Sequence, residues 1–180
     1  LGVIRLSYAP SGDPVWTGGT GNFSTGFTPS ASNGDDIAFS GAGGTATNDS
    51  LTSVNDLVFR SGAGAYTIAG TALTVNGTIY NNSTTTQIFS TAPTGDNTYN
   101  ANSGNITVSG VVSGNITKTG SSTLTLSASN TYTGTTAVNA GILAITNLNA
   151  LGSNATGTVI ADGAALHKNV GGDFYEPLTR

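Results

Sequence analysis

The sequence predicts an all-β protein, a right-handed parallel β-helix built from short strands and turns of Gly and Asn. Its apolar residues come in short bursts that alternate with Thr and Ser, as at Leu124 and Leu126. Such alternation over a few residues between turn formers is typical of short strands with one buried face. The apolar groups at 124–126, 142–145 and 158–160 recur at about the 20-residue length of a β-helix coil. Frequent Asn and Thr fit this fold because both can stack into ladders along it.

Turn formers such as Asn33-Gly34, Asn76-Gly77 and Asp162-Gly163 divide the chain into candidate strands. In chain order the predicted strands are 36–39, 57–59, 66–68, 73–75, 78–80, 87–89, 106–108, 116–118, 123–126, 136–138, 142–145 and 158–160. No segment shows an apolar period of 3.6 with helix caps, so we expect negligible helix. An antiparallel sandwich fits less well, because it needs longer strands and regular hairpin turns. Stacked coils of this length would form a rod of about 40 Å.

Composition excludes several classes of protein. Gly, Ser, Thr and Asn supply about half of the 180 residues. Only 8% of residues are charged, the net charge is -4, and β-branched and aromatic residues are scattered throughout, which argues against disorder. The five basic residues form no patch, so we expect no nucleic-acid partner. Cysteine is absent, so disulfides and thiolate metal sites are excluded. No apolar run is long enough to insert this segment into a membrane.

Residues 114–145 carry the most specific pattern of the chain. They contain Lys118-Thr119-Gly120, then a Thr-Leu-Thr-Leu-Ser strand, an Asn-Thr-Tyr-Thr-Gly turn and a Val-Asn-Ala-Gly-Ile-Leu strand. This order of pieces resembles the passenger-associated transport repeat, also called the autotransporter-associated beta-strand repeat. The residues that carry the motif are Lys118, Thr119, Gly120, Leu124, Leu126, Tyr132, Gly134, Val138, Gly141 and Leu143.

The resemblance implies a bacterial passenger domain that is extracellular or held at the cell surface. It is looser over most of 15–166 and fails at both ends. We therefore expect an N-terminal extension or capping strand over 1–14, a β-helix over 15–166, and a C-terminal coil fragment or assembly segment over 167–180. The chain starts at Leu1 without a visible signal peptide, so we interpret it as a piece of a larger secreted precursor.

The sequence offers few candidates for chemistry. His167 is the only histidine and cannot build a His-based metal site alone. Asp35-Asp36 is expected to cap a turn, with a calcium site shared with Asp13 or Asp49 as the alternative. The acids are thinly spread, and no Arg follows an acid at coil spacing, so we predict that the chain is not an enzyme and needs no cofactor.

The aromatic residues Trp16, Phe23 and Phe27 allow two interpretations. They could cover the open end of the hydrophobic core, since a solenoid needs a cap, or they could form a face that grips sugars. The first interpretation is preferred because the Trp is isolated.

The function expected from these patterns is structural. We predict an extracellular scaffold, adhesin or self-assembling fibre subunit, with adhesion to a surface glycan or host ligand possible. End-to-end association with further copies or further repeats is the expected partnership, because solenoid ends present unpaired strand edges. The alternative is a β-helix that binds or cleaves carbohydrate.

Overall fold

The computed structural model describes residues 13–153 and 156–180, so the segment predicted to form an extension or capping strand over 1–14 lies outside the described residues except for its last two positions. The described chain forms short strands and one four-residue helix. In chain order they are β1 (Val15–Trp16), β2 (Gly21–Asn22), α1 (Phe23–Gly26), β3 (Phe27–Thr28), β4 (Ile37–Phe39), β5 (Gly44–Asn48), β6 (Ser53–Val54), β7 (Leu57–Phe59), β8 (Tyr66–Gly70), β9 (Thr74–Val75), β10 (Thr78–Asn81), β11 (Gln87–Phe89), β12 (Asn97–Ala101), β13 (Ile106–Val108), β14 (Ile116–Thr119), β15 (Thr123–Leu126), β16 (Thr136–Val138), β17 (Ile142–Ile145), β18 (Thr158–Ile160), β19 (Ala165–Lys168) and β20 (Leu178–Thr179).

Successive strands alternate between two long sheets. Sheet A has the order β20-β18-β16-β14-β12-β10-β7-β4-β1-β3, and sheet B has the order β19-β17-β15-β13-β11-β8-β5-β2. Among the strands that the structure describes, every pairing is parallel except that of β1 with β3, which is antiparallel. A small third sheet, sheet C, pairs β6 with β9. The chain therefore winds into a parallel β-solenoid of about 8 turns, and the predicted all-β stacked fold is confirmed.

Alternate residues of each strand point into the solenoid and stack coil on coil. One such column in sheet A, here called the lysine column, runs through Ile37, Leu57, Ile79, Tyr99, Lys118, Val138 and Ile160. All of its members are buried, although one of them carries a charge. A neighbouring column stacks Phe39 on Phe59 with ring centroids 5.0 Å apart, close to the spacing of adjacent strands.

Buried amide side chains hold the corners between the sheets. Asn81 Nδ2 donates to the carbonyl oxygens of Thr85 and Asn105, each at 2.8 Å, and so joins its own turn to the next coil. Asn97 Nδ2 donates to Gly95 O at 2.6 Å. Buried backbone carbonyls need hydrogen-bond partners, and these side-chain amides supply them at the corners.

The two ends of the solenoid differ. At the N-terminal end, α1 and the antiparallel strand β3 lie over the first coil, and Trp16, Phe23 and Phe27 are all buried. At the C-terminal end, the outermost strands are β20 in sheet A and β19 in sheet B. The segment predicted as a coil fragment or assembly segment over 167–180 thus contributes strands to both sheets.

Candidate functional site: the repeat and its buried lysine

The predicted motif residues fall on two consecutive coils, one formed by β14 and β15 and the next by β16 and β17. Leu124 pairs in register with Leu143, and both side chains are fully buried. In sheet A, which faces these leucines of sheet B, Lys118 pairs in register with Val138. Alternate residues of a strand point to the same face, so the residues that alternate with Thr here all point inward. The repeat is therefore a double coil whose apolar residues stack on each other.

Lys118 is the unusual member of this core. Its side chain has no exposed surface, and its register places it between Tyr99 of the preceding coil and Val138 of the following coil. A lysine is almost never fully buried unless its charge has partners. The partners here are backbone carbonyls.

The ammonium group of Lys118 donates three hydrogen bonds. Nζ lies 2.7 Å from Thr119 O, 2.8 Å from Gly120 O and 3.0 Å from Ala140 O. The first two carbonyls belong to its own turn, and Ala140 belongs to the corresponding turn of the next coil. Three donors on the ammonium meet three acceptors, so the group is satisfied and joins two coils.

Burial has an electrostatic consequence for this lysine. Desolvation lowers the pKa of Lys118 to about 8, because the charged form loses the hydration that it has in the unfolded chain. The side chain is enclosed in the core and so is not presented to solvent as a nucleophile. Its geometry favours a structural role within the turn.

The motif glycines shape that turn. Gly120 has φ +77°, in the left-handed region that glycine tolerates, and Gly141 has φ +68° in the equivalent turn of the next coil. A Cβ at Gly120 would collide with the carbonyl oxygen of Ala101, and one at Gly141 would collide with that of Gly120. Glycine is needed at both positions because the turns stack in direct contact.

The Asn-Thr-Tyr-Thr-Gly turn is also buried in part. Tyr132 is 2% exposed, and its hydroxyl lies 2.6 Å from Thr136 Oγ1. Asn130 accepts a hydrogen bond from Val112 N at 2.8 Å and donates to Ala150 O at 2.5 Å. Asn130 therefore connects the corner loops of three successive coils, a role that sequence reasoning missed because Asn is common in every turn of the chain.

The family model of the passenger-associated transport repeat matches residues 116–145, which cover the two stacked coils described above. The chain contains a passenger-associated transport repeat. Together with the solenoid fold, the match supports a passenger-domain β-helix, and the repeat family is associated with autotransporter passenger domains. No curated protein and no solved structure matches the chain.

The other candidates of the sequence lie outside the transport repeat. His167 is exposed on β19 and faces outward, in register with Ala144. Asp35 accepts a hydrogen bond from Ser32 N, and Asp36 accepts from Asn55 Nδ2 and Asp56 N, so both carboxylates hold turns. Asp49 accepts two hydrogen bonds from Ser24.

No metal centre is evident in the part of the chain that the structure describes. Within residues 13–153 and 156–180, no three His, Asp or Glu side chains are grouped so that they could hold a metal ion. In the same ranges, no helix is long and apolar enough to cross a membrane.

The aromatic residues near the N-terminus form a cluster around Trp16. Its ring centroid lies 5.5 Å from that of Phe27 at a near-perpendicular angle and 6.2 Å from that of Phe39. Phe23 and Phe27 also meet edge to face, at 5.1 Å. Because these rings are buried, they cover the end of the core, and the cap interpretation describes their placement better than an open sugar-binding face.

Proposed function

We propose that this chain is a non-enzymatic structural segment of a bacterial passenger domain that serves outside the cell as a surface scaffold. The observation that carries the proposal is that side chains of the transport repeat are buried between stacked coils. Its leucines, Tyr132 and even the charged Lys118 are buried in the stack, where they hold one coil on the next. A repeat whose residues all serve stacking suits a module that provides length and rigidity.

The carboxylates support the same proposal. Those of Asp36, Asp56 and Asp96 accept backbone N–H groups of the next coil at 2.7 to 2.9 Å. They form a series along one corner of the solenoid, where they bridge successive coils. A scaffold would gain from such bonds, whereas general acid–base catalysis would need carboxylates that are directed toward a substrate.

The location is tested by labelling intact cells of the source bacterium with an antibody raised against the purified chain. We expect labelling without permeabilisation and removal of the label by added protease, while a periplasmic control protein is neither labelled nor cleaved. Label that appears only after permeabilisation would refute a surface role.

A second function, carbohydrate binding, has one specific observation in its favour. A cleft of about 310 Å³ near the C-terminal end is lined by Asn149, Asp173, Tyr175 and Glu176, together with apolar residues. An aromatic ring beside carboxylate and amide groups is a combination that can hold a sugar through stacking and hydrogen bonds. Such binding would make the scaffold an adhesin.

The adhesin function is tested on a glycan array with the wild-type chain and two Tyr variants. We expect Tyr175→Ala to abolish any specific signal and Tyr80→Ala, on the outer face of sheet A, to leave it unchanged. A wild-type chain that binds no glycan, or a signal that is unchanged in Tyr175→Ala, would exclude this cleft as a glycan site.

A further inference from the structure

The chain contains two Asn-Gly pairs, Asn33-Gly34 and Asn76-Gly77, and both asparagines are exposed at turns. This dipeptide is chemically reactive, because glycine has no side chain to hinder the attack of its backbone nitrogen on the amide carbon of the asparagine. The attack forms a succinimide ring and releases ammonia, and water then opens the ring to aspartate or isoaspartate. Hydrogen bonds made by the fold decide how readily each asparagine reacts.

Asn33 is kept from this reaction by hydrogen bonds to the next coil. Its Oδ1 accepts from Thr52 N at 2.8 Å and from Ser53 N at 3.3 Å. Gly34 N, which is the attacking atom, donates to Ser53 O at 3.1 Å. Both the side-chain amide and the attacking nitrogen are therefore held in place, and deamidation of Asn33 has to break all three bonds.

Asn76 lacks most of this protection. Its side chain is exposed and has no hydrogen bond among the residues that the structure describes. Gly77 N donates to Asn55 O at 2.9 Å, and the reaction at Asn76 has to break this bond. The side chain can turn toward Gly77 N without losing a partner, so the barrier to succinimide formation is lower here than at Asn33.

We propose that Asn76 is a site of spontaneous deamidation in the folded protein and that stacking of the coils protects Asn33. Gly77 N bonds to Cγ of Asn76 and gives up its proton, the bond from Cγ to Nδ2 breaks, and ammonia leaves with that proton. Hydrolysis of the succinimide consumes one water and yields a carboxylic acid at position 76, which ionises. The acid is either an ordinary aspartate or isoaspartate, in which the backbone runs through the former side chain.

The new negative charge at Asn76 lies among other acids of the same corner. The glycine that follows it lies against the carboxylate of Asp56 on the preceding coil. Thr74 pairs with Thr94 in parallel, which places Asp96 of the following coil level with position 76. Like charges on neighbouring strands repel, and isoaspartate also lengthens the backbone where the coils are in register. Deamidation of Asn76 therefore weakens the stacking at this corner.

Peptide mapping by mass spectrometry tests the proposal on the full chain, incubated in its folded state at mildly alkaline pH for increasing times. We expect Asn76 to deamidate at least about tenfold faster than Asn33, because two further hydrogen bonds have to break at Asn33. In concentrated urea the two sites should react at similar rates, since only the fold distinguishes them. Asn76→Gln is the matched control, because glutamine would have to close a larger ring, and it should leave the rate at Asn33 unchanged.

Equal rates at the two sites of the folded protein, or a faster reaction at Asn33, would overturn the proposal. So would a folded chain in which neither site reacts while both react in urea. The effect of the product is measured with Asn76→Asp, which should melt at a lower temperature than the wild type, whereas Asn76→Gln should melt close to it. Equal melting temperatures of these two variants would show that the charge does not weaken the corner. None of these outcomes bears on the surface location, which is tested separately on cells.

Discussion

At the residue scale, Lys118 shows how a charge is accommodated in a solenoid core. Its position in the strand is that of an inward residue, two places after Ile116, and its register neighbours are Tyr99 and Val138. Burying an ammonium without partners would cost several kcal/mol, but here three carbonyls accept its hydrogen bonds. Without the lysine, these carbonyls would lose the hydrogen bonds that it donates. The lysine and the turn therefore depend on each other.

Replacing Lys118 should destabilise the protein in a graded way. Lys118→Ala removes all three hydrogen bonds and leaves a cavity, so we expect a loss of about 2–5 kcal/mol in the free energy of unfolding. Lys118→Gln retains donors for some of the carbonyls and should lose less. Urea unfolding followed by circular dichroism measures both. Thr117→Ala, at the outward neighbour, should change stability by less than about 1 kcal/mol, and equal losses in all three variants would contradict the assignment.

The lowered pKa of Lys118 predicts a pH dependence. Its pKa is about 8 in the folded protein and 10.5 in a solvated lysine, so between these values the unfolded chain holds a proton that the folded chain has released. The free energy of unfolding therefore rises with pH across this window as far as this residue is concerned. Burial raises the pKa of Tyr132 from 10.0 to about 12, so above pH 10 its contribution to stability falls instead.

Lys118→Met isolates the lysine, because methionine fills similar space and does not titrate. The unfolding free energy of the wild type minus that of Lys118→Met should become more positive from pH 7 to pH 10. The tyrosines are common to both proteins, so their titration cancels in this difference. A difference that stays constant over this range would show that the pKa of Lys118 is not lowered.

The buried lysine could in part be predicted from the sequence. The alternation Ile116-Thr117-Lys118 already places Lys118 on the same face as Ile116. The sequence pattern cannot show which carbonyls accept the hydrogen bonds of Lys118, because Ala140 lies in the next coil and contacts Nζ only when the coils are stacked. Asn81 and Asn97 could not be distinguished from surface asparagines for the same reason.

At the element scale, several strands with large apolar residues were predicted with the right bounds, whereas two long polar strands were not predicted. The segments 57–59, 123–126 and 142–145 are strands with the expected bounds, since Leu, Ile and Phe alternate or run together there. Strands β5 and β12 were missed, because Thr and Asn dominate them and their inward residues include Ala46, Asn97 and Ala101. These segments form strands because they pair with the coils on either side, and the sequence of a single segment does not show that pairing.

The turns between strands give a prediction with an internal control. Gly120 and Gly163 have nearly equal φ values, +77° and +82°, so Ala carries similar backbone strain at either position. Only at Gly120 would the new Cβ collide with a neighbouring coil, since nothing lies within 4 Å of the corresponding position at Gly163. We expect Gly163→Ala to cost about 1 kcal/mol and Gly120→Ala clearly more. Thermal unfolding of the two variants measures this, and equal shifts in melting temperature would contradict close stacking at Gly120.

At the scale of the whole molecule, the solenoid depends on its N-terminal cap because each coil contacts only its neighbours. Trp16 is the centre of that cap and is 2% exposed. We expect Trp16→Ala to lower the free energy of unfolding by about 3–5 kcal/mol, and Trp16→Phe, which retains an aromatic ring, to lower it less. Urea unfolding measures both. A Trp16→Ala variant as stable as the wild type would show that the aromatic cluster is not needed to cover the core.

The transport repeat acts in this structure as a stacking unit, in which Lys118 joins the coil of β14 and β15 to the coil of β16 and β17. Native-state hydrogen exchange, followed by mass spectrometry on the wild type and Lys118→Ala, tests it most directly. We expect backbone amides of β14 to β17 to lose protection in the variant, while those of β4 to β8 stay close to wild type. Unchanged protection in β14 to β17, or an equal loss along the whole chain, would contradict the claim.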